Sequence, residues 1–213
     1  MTSTWHNLAR SERWRGIVSF IHNWVGPLDF TQGMPQNELD SVLQGKCFHL
    51  PSAVREWYLL SANWPQHGLS VWIKPQEFTF SKGILWVLTD LEGITLWGVR
   101  VADLDKDDPP VVTLEKNDPV FACPNFTEFV AAMIVGEVVF DYDVEEPVKL
   151  RHDAVQEVPM LRVASCFGDV FVDGSLESAT IVMFAYPRDG EVYGKSRTPG
   201  GRELLQRMQL ESA

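Results

Sequence analysis

Apolar residues recur along this chain first with a helical period and later in short dense runs, and the change predicts helices followed by sheet. Trp14, Ile17, Val18, Ile21 and Val25 fall on one helical face, with Ser11 as the expected N-cap and Gly26-Pro27 as the stop. Pro35 opens a short helix that carries Leu39, Val42 and Leu43 inward and ends at Gly45. Leu50-Pro51 starts a third, with Val54, Trp57 and Tyr58 on one face. Proline is tolerated in a first turn because the N–H it lacks has no intrahelical partner there.

A short strand is expected around Leu69 to Ile73. Two apolar runs then flank Asp90-Leu91-Glu92-Gly93: Ile84 to Thr89 and Ile94 to Val101. Asp supplies local hydrogen bonds and Gly a positive φ, so the segment reads as a β-hairpin. Neither run alternates cleanly, which predicts central strands covered on both faces, with Trp86 and Trp97 in the core. The second strand leads into Asp103-Leu104-Asp105-Lys106-Asp107-Asp108-Pro109-Pro110, where prolines forbid ladder donation and charges demand water, so an exposed acidic loop is expected.

Val111 to Leu114 predicts a third strand. Asn125, with Glu128 three residues on, caps a helix whose Phe126, Phe129, Val130, Met133 and Ile134 fall at i, i+3, i+4, i+7 and i+8. Residues 141–160 are a charged, proline-containing connection. After it come a strand-like run from Leu161 to Val172, a second from Thr180 to Tyr186, a turn at Pro187-Arg188-Asp189-Gly190 and a short strand from Glu191 to Lys195. A closing helix follows Pro199, with Leu204, Leu205 and Met208 inward. The expected class is α+β: N-terminal helices packed on a mainly antiparallel sheet in residues 1–140, and a strand/helix extension in 141–213 completing the same globular unit.

Composition narrows the picture. At 213 residues, 45% hydrophobic with eight Trp and twelve Phe, the chain can bury a large core. Its longest uncharged apolar stretch, Phe129 to Gly136, is far below the roughly 20 residues of a membrane span. The first sixteen residues lack the apolar core of a cleaved export signal, so a cytoplasmic location is expected. Cys47, Cys123 and Cys166 are widely spaced among apolar neighbours and read as reduced, buried thiols.

The 18 Lys and Arg against 29 Asp and Glu leave no basic footprint for nucleic acid. The imbalance is also localised. Between Val101 and Glu146 twelve acids face two bases, a net of −10 in a chain whose total is −11. A field concentrated in this way steers a basic partner.

Candidate chemistry is sparse. Asp103, Asp105 and Asp107 imitate the first ligands of a calcium loop, but Asp108 stands where the turn needs Gly and Leu114 where it needs a bidentate Glu. Gly194-Lys195-Ser196 resembles the end of a phosphate-binding loop, with Gly190 one residue too close and the helix delayed to Pro199. The five histidines have no zinc-site spacing, no nucleophile elbow occurs, and the tryptophans sit on core-facing positions. No metal, cofactor or catalytic residue is expected.

Leu50-Pro51 opening a helix, Glu92-Gly93 followed by Trp97, Asp108-Pro109-Pro110-Val111 and Phe126-Thr127-Glu128-Phe129 occur in an order that resembles the SUKH superfamily, from about Pro35 to Phe140. This group includes bacterial immunity proteins and fungal cell-wall-assembly regulators. The resemblance implies an α+β fold, no catalysis, and neutralisation of a cognate polymorphic toxin, a nuclease among them, by protein contact inside the producing cell. The acidic segment fits a basic nuclease cleft, and charge alone assigns the partner-facing residues: Asp103, Asp105, Asp107, Asp108, Asp141, Asp143, Glu145 and Glu146. The alternatives are a hydrolase with a metal-assisted carboxylate site and a regulatory or small-ligand module.

Overall fold

The computed structural model describes residues 5–26, 33–61, 70–115, 118–140, 146–157, 160–165, 168–186 and 190–209. The helices and strands of the first half are α1 (Arg10–Trp24), α2 (Gln36–Leu43), α3 (Ser52–Ser61), β1 (Ser70–Trp72), β2 (Phe80–Ser81), β3 (Ile84–Asp90), β4 (Leu96–Arg100), β5 (Val111–Glu115) and β6 (Asp118–Cys123). Then come α4 (Phe126–Phe140), β7 (Val148–Leu150), α5 (Ala154–Glu157), β8 (Met160–Ser165), β9 (Asp169–Asp173), β10 (Ile181–Ala185), β11 (Val192–Ser196) and α6 (Pro199–Arg207). The class is α+β with antiparallel sheets, as the apolar pattern predicts. The chain forms two compact units, Leu28–Thr127 and Met1–Pro27 with Glu128–Ala213. The boundary expected at Asp141 lies outside the described residues.

In the Leu28–Thr127 unit the sheet runs β1-β3-β4-β5-β6, with β2 also on β3. Ile84, Leu85, Trp86, Val87 and Leu88 are all buried, the double cover expected of a central strand. Trp86 is a core residue, whereas Trp97 is only partly buried. Trp57 of α3 lies 4.8 Å from Trp72, which in turn meets Phe126 edge-on at 6.1 Å. Tyr58 donates its hydroxyl to the carbonyls of Ile73 at 2.6 Å and Val87 at 3.3 Å, tying α3 to the sheet. Burial pushes its phenol well above the usual range, so it remains a donor.

The predicted hairpin is present, and its turn is locked by Asp90. That carboxylate accepts from the N–H groups of Ile94 at 2.7 Å and Thr95 at 2.9 Å, while Gly93 takes φ 69°. Desolvation raises the Asp90 pKa, but hydrogen bonds from Thr95, Ile94 and Gly93 outweigh it and hold the group below its ordinary value. Strand β6 is an addition to the sequence reading, since Asp118 and Pro119 look like turn residues. An edge strand admits them, because one side of its backbone needs no ladder partner.

In the other unit α1 buries Trp14, Ile17, Phe20 and Ile21. The turn after β9 holds its last residues, with Asn23 donating to the Glu177 carbonyl and the Trp24 indole to that of Ala179. The expected N-cap at Ser11 is displaced: the helix starts at Arg10, and the Glu12 carboxylate accepts from the Ala9 N–H at 2.9 Å. The C-terminal sheet runs β7-β11-β10-β9-β8. Leu150, Ile181, Met183, Val192, Leu205 and Met208 form its core with α6.

The run read as one strand from Leu161 to Val172 is the antiparallel pair β8 and β9. Gly168 sits where a Cβ would fall 2.4 Å from the Phe184 ring, so only glycine fits there. The charged connection also carries order, in β7 and α5. Helix α4 departs from its amphipathic pattern most: every residue from Phe126 to Gly136 is buried.

Candidate partner surface

The acidic loop follows β4 as a 3-10 turn, Val101–Asp103, and its four aspartates have different tasks. Asp103 pairs with Lys106 at 2.6 Å; its side chain is 14% exposed against 54% for the lysine, so most of its charge is cancelled locally. Asp105 projects into solvent. Asp107 accepts from the Ser52 hydroxyl at 2.6 Å, and its carbonyl accepts from the Ala53 N–H at 2.8 Å, which satisfies the start of α3. Asp108 accepts from both the N–H (3.0 Å) and the hydroxyl (2.6 Å) of Thr127, and so caps α4.

Two adjacent aspartates thus hold two helix starts, where the backbone dipoles favour negative charge. Asp108 does so through its carboxylate on the Thr127 N–H, and Asp107 through its carbonyl on the Ala53 N–H and its carboxylate on the Ser52 hydroxyl. Asn125, the expected N-cap of α4, accepts from the Thr127 hydroxyl at 3.0 Å, and Glu128 is buried within the helix. The bonds from Asp108 come from a residue far away in sequence, which no local motif encodes. Replacing Asp108 by Ala should cost about 1–2 kcal/mol, or about 2–8 °C in Tm, whereas Asp105→Ala should stay within about 0.5 kcal/mol. Equal melting temperatures for the two variants would remove Asp108 from this role.

Of the second acidic segment, Asp141, Asp143 and Glu145 lie outside the described residues, and Glu146 is exposed. Among the described residues no group of three or more His, Cys, Asp or Glu side chains is placed to hold a metal ion. The phosphate-loop-like Lys195 is buried and donates to the Val138 carbonyl at 3.1 Å, within the Glu128–Ala213 part of the fold. Cys47 is a free but exposed thiol, and Cys123 is buried yet disulfide-bonded; Cys166 lies outside the described residues. Cys47 is thus reduced as expected but not buried, and Cys123 is buried as expected but not reduced, because spacing along a chain says nothing about which sulfurs folding brings together.

What the charge argument missed is apolar. The first turn of the loop forms one wall of a depression of ≈ 590 Å³, with Val101 and Leu104 opposite Phe48, Phe78 and Phe80. Phe80 and Val101 are 44% and 47% exposed, and the Phe48 ring meets Phe80 edge-on at 4.7 Å. At the far end of the hairpin Leu91 and Ile94 are also exposed. For that end a sequence signal existed, since Leu91 is a large apolar residue inside a turn that local chemistry alone would fill with a polar one.

Fold and geometry define the class coarsely: an α+β chain of antiparallel sheets in which no described helix is long and apolar enough to cross a membrane. No family model, curated protein or solved structure matches the chain.

Proposed function

We propose that the chain is an immunity-type binding protein of the SUKH superfamily, which neutralises a cognate toxin by surface contact, without catalysis or cofactor. The observation that carries this reading is the loop Val101–Pro110. Asp107 and Asp108 anchor it on two helices, its first turn lines an aromatic-walled depression through Val101 and Leu104, and Asp105 is exposed on the same loop. Aromatic and aliphatic side chains gathered in an exposed recess are the composition of a protein-binding hot spot. The residues behind the resemblance also gain physical roles: Asp108 caps α4, Pro109 and Val111 are buried, and Leu50-Pro51 leads into the helix that Asp107 anchors.

The reading places the protein in the cytoplasm of the producing cell, and the Cys123 disulfide is the feature that weighs against that location, since disulfides persist in oxidising compartments. Its partner is a basic toxin, a nuclease in particular, whose cleft complements the carboxylates of an acidic chain. The test takes the product of the gene immediately upstream, which this reading expects to end in a toxin domain; a neighbour without such a domain would count against it. The chain should block that domain's activity, with an association rate that falls as salt rises and falls about two- to fivefold in Asp105→Asn. A toxin left active, or binding indifferent to both salt and Asp105, would reject the proposal.

A further inference from the structure

Beside the apolar depression lies a second hollow of ≈ 720 Å³, formed by α2 and the segment that joins it to α3. Its lining differs in kind. Asn37, Ser41 and Gln44 present amide and hydroxyl groups from one side of α2, and among the described residues no hydrogen bond engages their side chains. The charged groups, by contrast, each have a partner within the fold. Arg55 donates to Asp40 at 2.5 Å, and the Lys46 ammonium donates to the Phe78 carbonyl at 3.3 Å. Phe48 adds an aromatic surface, shared with the neighbouring depression.

From this combination we infer that the hollow is a binding site for a neutral, polyhydroxylated ligand of the size of a mono- or disaccharide. The volume is that of a small-molecule site. Uncommitted amides and hydroxyls offer both donors and acceptors, which hydroxyl groups match and a purely anionic or cationic ligand does not. The Asp40–Arg55 charges cancel, and the Lys46 ammonium, held by a neutral carbonyl, leaves the hollow one positive charge. A cation is therefore disfavoured, and the preference for a neutral ligand over an anion rests on the amides and hydroxyls. The Phe48 ring supplies an apolar face for the C–H side of a sugar. The site does not depend on the toxin-binding reading, and it lies wholly within the Leu28–Thr127 unit.

The test is a titration of the isotope-labelled protein with cellobiose, followed by backbone amide shifts, with glucuronate and glucosamine as charged probes. Cellobiose should give saturable shifts at Gln44, Lys46, Phe48 and His49, with millimolar affinity of about 4 kcal/mol or less. The double variant Asn37→Ala/Gln44→Ala should weaken it by about tenfold while keeping the parent's melting temperature, since both residues are exposed. Absence of saturable shifts, shifts that survive the double variant, or tighter binding of either charged probe would overturn the inference. If cellobiose binds as expected and no toxin does, the site stands and the immunity reading falls.

Discussion

Trp57→Ala is expected to destabilise the Leu28–Thr127 unit by about 3–5 kcal/mol, the range for truncating a fully buried aromatic residue. Trp57 is 1% exposed and packs against Trp72 at 4.8 Å, at the junction of α3 with the sheet. The void would have to be filled by Trp72, which is itself in contact with Phe126, so relaxation would disturb the start of α4 as well. Since domains are stable by only about 5–15 kcal/mol, the variant should lose most of its margin. Guanidinium unfolding followed by circular dichroism reads this as a large fall in midpoint, and a loss below about 1 kcal/mol would contradict the packing described.

The second large effect is expected from one methyl group. Gly98 sits in β4 opposite Trp86, and a Cβ there would fall 2.3 Å from the Leu85 carbonyl oxygen and 2.7 Å from the Ile84 side chain. The Ile84 methyl can rotate, but the Leu85 carbonyl belongs to the β3–β4 ladder and cannot move without parting the strands. Gly98→Ala should therefore cost about 3 kcal/mol or more, at the upper end of overpacking effects. Gly45→Ala is the control, because open space surrounds that position. A Gly98→Ala protein that melts with the parent would show that the central strands are not as close as the structure has them.

These two positions mark what could be read in advance. Trp57 was identifiable from the helical period that puts Val54, Trp57 and Tyr58 on one face. Gly98 was not singled out, although a glycine inside a strand pattern signals close backbone approach. The hairpin was legible for the same local reasons, Asp90 and Gly93 in its turn and an apolar run on each side. Strand β6 was missed because its edge position, which excuses Pro119, is a property of the sheet and not of the segment.

The acidic loop shows the same division in function. Its charge and exposure follow from composition, but composition treats four aspartates as equivalent. In the fold Asp103 is paired, Asp107 and Asp108 hold helix starts, and Asp105 faces water. Neutralising all four would therefore confuse loss of a contact with loss of two helix anchors, and Asp105 is the position that separates them.

By itself, then, the sequence determined the class and most of its elements, since period, turn chemistry and proline placement act over a few neighbouring residues. Only the tertiary structure decided which carboxylates are free, which glycine is indispensable and where the hollows lie. Each of those depends on groups far apart in the chain, such as Asp108 and Thr127 or Phe48 and Val101, meeting at distances that no local pattern specifies.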